Sequence, residues 1–90
     1  MSNKLLLGAI AQDLYRAANA YHRKSDTVSG RFLQEALITV NNVDTSTVAD
    51  YIKRYLQNIS ALNKLRNDDE KADAALVYSA VIQNYCIKNC

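Results

Sequence analysis

The sequence predicts an all-α fold, a small antiparallel four-helix bundle. Three observations predict it. The chain of 90 residues has no proline and only two glycines, Gly8 and Gly30, punctuation that strands and turns need and long helices avoid. Apolar residues recur at spacings of three and four through four segments, which is the period of a helix face. The connections between those segments are short, so successive helices pack as antiparallel neighbours. Ninety residues make a single domain, 1–90. Size scaling gives it a folded surface of about 5,300 Å² against about 14,600 Å² unfolded, enough for one modest core.

The first helix spans about 3–24, with Ser2 as its cap. Leu7, Ile10, Leu14, Ala17, Ala18 and Tyr21 fall on one face, with Leu6 and Ala11 at its edges. Gln12, Arg16, Asn19 and Arg23 lie opposite. Ser25–Gly30 is the one strong loop signal, because Ser, Asp and Thr compete for backbone hydrogen bonds and Gly permits a positive φ. The second helix spans about 30–41, with Phe32, Leu33, Ala36 and Val40 inward, Leu37 alongside and Ile38 outward.

The third helix spans about 46–65. Thr47 and Asp50 have the spacing of a capping box, and Val48, Tyr51, Ile52, Tyr55, Ile59 and Leu62 form its inner face. The fourth, about 68–88, has the clearest start in the chain. Asn67 and Glu70 fit a capping box, and Asp68, Asp69 and Glu70 set three negative charges at the positive pole of the helix. Thr45–Ile87 thus reads as a helical hairpin around which the rest is organised. The alternative closure is a three-helix core with the short second helix lying across it.

The fourth helix carries apolar residues on two sides. Ala74, Ala75, Tyr78, Val81, Ile82 and Tyr85 share one broad face; Leu76, Ala80 and Ile87 lie opposite, and Val77 sits on the flank. A bundle helix normally turns a polar back to water. Either the chain covers that strip itself, with the second helix or Leu5, or another molecule does.

Chemistry is sparse. The formal net charge is +2, from 11 basic and 9 acidic residues, and the basic residues are scattered over several helices. That balance argues against nucleic acid or an anionic membrane as partner. No apolar run is long enough to span a bilayer, and Leu5–Ala11 merges into an amphipathic helix rather than forming a secretion leader. The expectation is a soluble, cytoplasmic protein. His22 is the only histidine. It stands at a helix end without the flanking lysine and glycine of a phosphotransfer histidine, and reads as solvated. Cys86 and Cys90, at i and i+4, are half a metal site with nothing to complete it, and a helix holds their Cβ atoms too far apart for a disulfide. There is no phosphate-binding loop, nucleophile elbow or paired histidines. No enzymatic activity, metal or cofactor is expected.

The architecture resembles other small antiparallel bundles of this length, among them bacteriocin immunity proteins and phage accessory subunits, with no shared residue motif that carries a site across. The function expected is a non-enzymatic helical interaction module or accessory subunit. It docks through the fourth helix on a larger protein or on itself as a homodimer, using Leu76, Val77, Ala80 and Ile87 with Ile38 as a contributor. The rival from another class is a small helical nucleic-acid-binding regulator.

Overall fold

The computed structural model describes residues 2–89. Four α-helices follow one another: α1 Asn3–His22, α2 Asp26–Val40, α3 Asp50–Asn58 and α4 Asp68–Asn89. Short 3-10 segments, Thr45–Thr47 and Ile59–Lys64, precede and follow α3. No strand occurs among the described residues, and the fold is an all-α bundle.

Polar contacts fix the directions of the helices. The Ser79 hydroxyl donates to the Ala11 carbonyl at 2.6 Å, and the Cys86 thiol to the Lys4 carbonyl at 3.4 Å. At the other end Lys24 meets Asp69 at 3.4 Å, so α1 and α4 run antiparallel. α2 doubles back along α1. The Ala49 amide, just before α3, donates to the hydroxyl of Tyr85 near the end of α4. After α3, Asn63 accepts from the Tyr21 hydroxyl near the end of α1. The path is therefore up-down-up-down, and α1 packs along both α2 and α4.

That makes α1 the organising helix, in place of the hairpin expected over Thr45–Ile87. Leu6, Leu7, Ile10, Ala11, Leu14, Ala17, Ala18, Ala20 and Tyr21 are all buried, because α1 has two neighbouring helices to satisfy rather than one. Each fully buried Leu or Ile contributes about 1.5–3 kcal/mol relative to exposure. Ala11, Ala17 and Ala18 on α1, with Ala72, Ala75 and Ser79 on α4, are small and buried, so these two backbones come close. α3 stands farther off, behind larger side chains. Tyr55 meets Tyr78 edge-on at 4.8 Å between ring centres, and Tyr51 meets Tyr85 edge-on at 5.9 Å.

Several expected boundaries move. α1 ends at His22, and α2 begins at Asp26, so most of the expected loop Ser25–Gly30 is helical. The turn is tighter because Lys24 itself takes the left-handed conformation, φ 59°, the role that sequence reasoning gave to glycine. Ser29 is buried and donates to the Asp26 carbonyl at 3.1 Å, so it closes the first turn of α2 from inside. The third helix is divided into three short pieces, and it, not the second, is the short one. The Thr47–Asp50 capping box is not made. Thr47 instead donates to the Asp44 carbonyl and accepts from the Asn3 amide, which also donates to that carbonyl while its oxygen accepts from the Asp44 backbone amide. Asn3 thereby pins the link between α2 and α3 to the start of α1. The α4 cap forms: Glu70 N–H donates to the Asn67 side chain at 2.9 Å, and the Glu70 carboxylate accepts from Arg66 N–H at 3.3 Å.

Candidate docking surface

α4 uses two buried seams, and they are not the single face that its apolar residues suggest. Ala72, Ala75, Ser79, Ile82 and Cys86 are buried at alternating spacings of three and four, with Ser79 and Cys86 bonded to α1. Tyr78 and Tyr85 meet the tyrosines of α3. Ala74, Tyr78 and Val81 are only partly buried. Ser79 belongs inside because a hydroxyl bonded to a helix carbonyl loses little by burial.

With both seams used, the opposite strip is left outside. Leu76 is 42% exposed, Val77 53% and Ile87 70%, and Ala80 is exposed as well. Neither α2 nor Leu5 covers it; Leu5 is itself 62% exposed. The structure does not bring Ile38 to this strip. Ile38 is 58% exposed, but it lies on α2, turned away from the packed positions Leu33 and Ala36, and it does not line the groove described next. Val77 lies on the flank, also outside the groove lining.

The strip borders an open groove that sequence reasoning did not anticipate. Between the first half of α1 and the second half of α4 lies a hollow of about 580 Å³, lined by Lys4, Leu5, Gly8, Ala9, Gln12, Gln83, Cys86 and Ile87. It adjoins a second hollow of about 460 Å³ that shares Gly8, Gln12 and Gln83 and reaches Ala11, Tyr15 and Ser79. The floor is low because Gly8 has no side chain; a Cβ placed there meets nothing within 4 Å. On α1 the walls are Leu5, Gly8, Gln12 and Tyr15, again at spacings of three and four. On α4 the lining is Ser79, Gln83, Cys86 and Ile87; Leu76 and Ala80 are exposed on the same helix but outside the lining. The α1–α4 hydrogen bonds set the register, so Leu5 lies level with Cys86 and Tyr15 level with Leu76. The signal for the α1 row was in the sequence: Leu5, Ala9 and Tyr15 sit on a side that otherwise reads as polar, with Gln12, Arg16 and Asn19.

Elsewhere the molecule offers less. A polar niche of about 170 Å³ lies where Tyr21, Asn63, Asp68 and Lys71 converge. Burial, then the charges of Asp68 and Asp26, push the Tyr21 phenol up from its ordinary value. Asp13, between α1 and α2, is also raised, by partial burial and then by Glu35, against a lowering contribution from Arg16. Among the described residues no group of His, Cys, Asp and Glu could hold a metal ion, and no buried side-chain nitrogen or oxygen lacks a hydrogen bond. His22 is exposed at the end of α1. Cys90, the other half of the cysteine pair, lies outside the described residues. No described helix is long and apolar enough to cross a membrane. Comparison with protein-family models, with curated proteins and with solved structures finds no match.

Proposed function

We propose that the protein is a non-enzymatic helical interaction module of the cytoplasm that docks another protein on the outer face of the α1–α4 pair. The observation that carries this reading is the exposure of Leu5, Tyr15 and Ile87 around two adjoining hollows, with Leu76 exposed on the same helix as Ile87. Single exposed apolar residues are ordinary, whereas a contiguous apolar face with a concave centre marks interaction sites on small proteins. The proposed docking face combines Ile87 of the expected strip with Leu5, Gly8, Ala9 and Tyr15 of the groove; Leu76, Val77 and Ala80 are exposed beside it on α4, and Ile38 is exposed on α2. The groove walls are two antiparallel helices with residues at heptad-like spacing, a shape that receives helical surfaces. Its lining is apolar, amide and hydroxyl, with Lys4 as its single charged residue, which favours a protein over a nucleic acid.

Site-specific photo-crosslinking tests the reading. A photoreactive residue at position 87 or 5, in the chain expressed in its source cells, yields discrete protein adducts, and one at position 38 does not. Absence of adducts from both groove positions, or equal adducts from position 38, contradicts it.

A further inference from the structure

We propose that residues 45–64 form a strap that opens as one unit from a platform of α1, α2 and α4, with a side-chain latch at each end. The strap is independent of the docking face on α1 and α4.

The platform is the better-built part. α1, α2 and α4 are continuous helices of 20, 15 and 22 residues, and α1 packs along both of the others. α1 alone buries nine residues. The strap is divided into pieces of 3, 9 and 6 residues. It sends one narrow row inward: Val48, Ile52, Leu56, Ile59 and Leu62. The residues between them are exposed or half-buried. Runs of 3-10 helix rarely exceed about three or four residues because their hydrogen bonds are poorly aligned, and a run that interrupts a helix often marks a hinge. The run Ile59–Lys64 has six residues.

The polar ties to the platform lie mainly at the two ends. At the start, the Asn3 side-chain nitrogen donates to the Asp44 carbonyl at 3.0 Å and to the Thr47 hydroxyl at 2.8 Å, and its oxygen accepts from the Asp44 amide at 3.0 Å. At the far end the Tyr21 hydroxyl donates to the Asn63 side-chain oxygen at 3.3 Å. Between these latches the Ala49 amide donates to the Tyr85 hydroxyl, and two edge-on tyrosine pairs complete the contact. The ion pair of Lys53 with Asp50 lies within the strap itself.

Opening therefore breaks few bonds and leaves the platform's own joints in place. The Ser79–Ala11 and Cys86–Lys4 bonds and the Lys24–Asp69 pair all join α1, or the turn after it, to α4. A segment with few joints to its surroundings opens at a lower free energy than the whole molecule. What it uncovers is part of the shared core, to which Leu7, Ile10, Leu14, Leu33 and Ile82 belong. The strap thus gates access to the most apolar surface of the protein.

Native-state amide hydrogen exchange of the full chain, followed by NMR at sub-denaturing guanidinium concentrations, tests this. The Leu56 and Leu62 amides are expected to exchange together, at least about tenfold faster than those of Leu14 and Ile82. Their denaturant dependence is shallower, because an opened strap exposes less surface than an unfolded chain. Two variants separate the parts. Tyr21→Phe removes a latch that is lost on opening and on unfolding alike, so it speeds both classes, roughly three- to tenfold. Ser79→Ala removes a joint that survives opening, so it speeds Leu14 and Ile82 and leaves Leu56 and Leu62 unchanged. A single rate and a single denaturant slope for all four amides overturns the proposal. So does scattered, denaturant-independent exchange within the strap, a strap indifferent to Tyr21→Phe, or a strap accelerated by Ser79→Ala. None of these outcomes bears on the docking face.

Discussion

The Ser79 hydroxyl joins α4 to α1. Its 2.6 Å bond to the Ala11 carbonyl ties the two helices together beside the hollow that both residues line. Ser79→Ala keeps the fit, and the Ala11 carbonyl stays in its own helix, so equilibrium unfolding shows a loss of about 1 kcal/mol. Gly30, by contrast, lies inside α2 with nothing within 4 Å of an added Cβ. Gly30→Ala gains about 0.5–1 kcal/mol through helix propensity alone. Two carboxylates give opposite pH responses. Bonds from the Ser46 hydroxyl and then its backbone amide hold the Asp44 carboxyl below 3.8. Its stabilisation is thus present above pH 3.8 and lost as pH falls through its lower folded value. Burial holds Asp13 above 3.8, so its charge weakens the fold above its raised value and the penalty is gone below 3.8. In thermal melts Asp44→Asn lowers Tm at pH 7 and Asp13→Asn raises it, and both differences shrink near pH 3.

At the scale of the elements, α4 was the most legible. Asn67, Asp68, Asp69 and Glu70 announce its start, and the cap bond forms as that spacing requires. Asn67→Ala removes an acceptor for the Glu70 amide and costs about 1 kcal/mol, measurable by denaturant titration. Which side of α4 faces which neighbour was not legible. Ala74 and Ala75 are equally apolar, and only the docking of α1 decides that Ala75, Ser79 and Cys86 go inside. The start of α2 was misread because Ser, Asp and Thr favour loops and helix N-termini alike; the tight turn at Lys24 tipped them toward the helix. α3 was read as one long helix because Ile59 and Leu62 continue its apolar face. At three residues per turn they still fall on one side, so a 3-10 segment buries them just as well. The clamp of Asn3 on Asp44 and Thr47 joins residues more than forty positions apart, and no local pattern encodes such a pairing.

For the molecule as a whole, the accessible surface is 5447 Å², against about 5,300 Å² expected for a compact chain of this mass. The exposed strip is therefore no consequence of loose packing. A chain this short gives α1 two neighbouring helices and α4 two seams, and nothing remains to cover the back of their pairing. The four-helix bundle and the surplus of apolar surface on α4 could both be read from spacing. The groove could not, because it depends on the register of α1 against α4 and on the missing side chain of Gly8.

The most direct measurement is the unfolding free energy of a Leu76→Glu, Ile87→Glu double variant, taken by denaturant titration at sub-micromolar concentration so that association contributes nothing. Both side chains lie outside the monomer's core, so the variant should unfold within about 0.5 kcal/mol per substitution of the parent. A loss of about 3 kcal/mol or more, the cost of forcing charge into a packed interior, would contradict the claim that this face is left free for a partner.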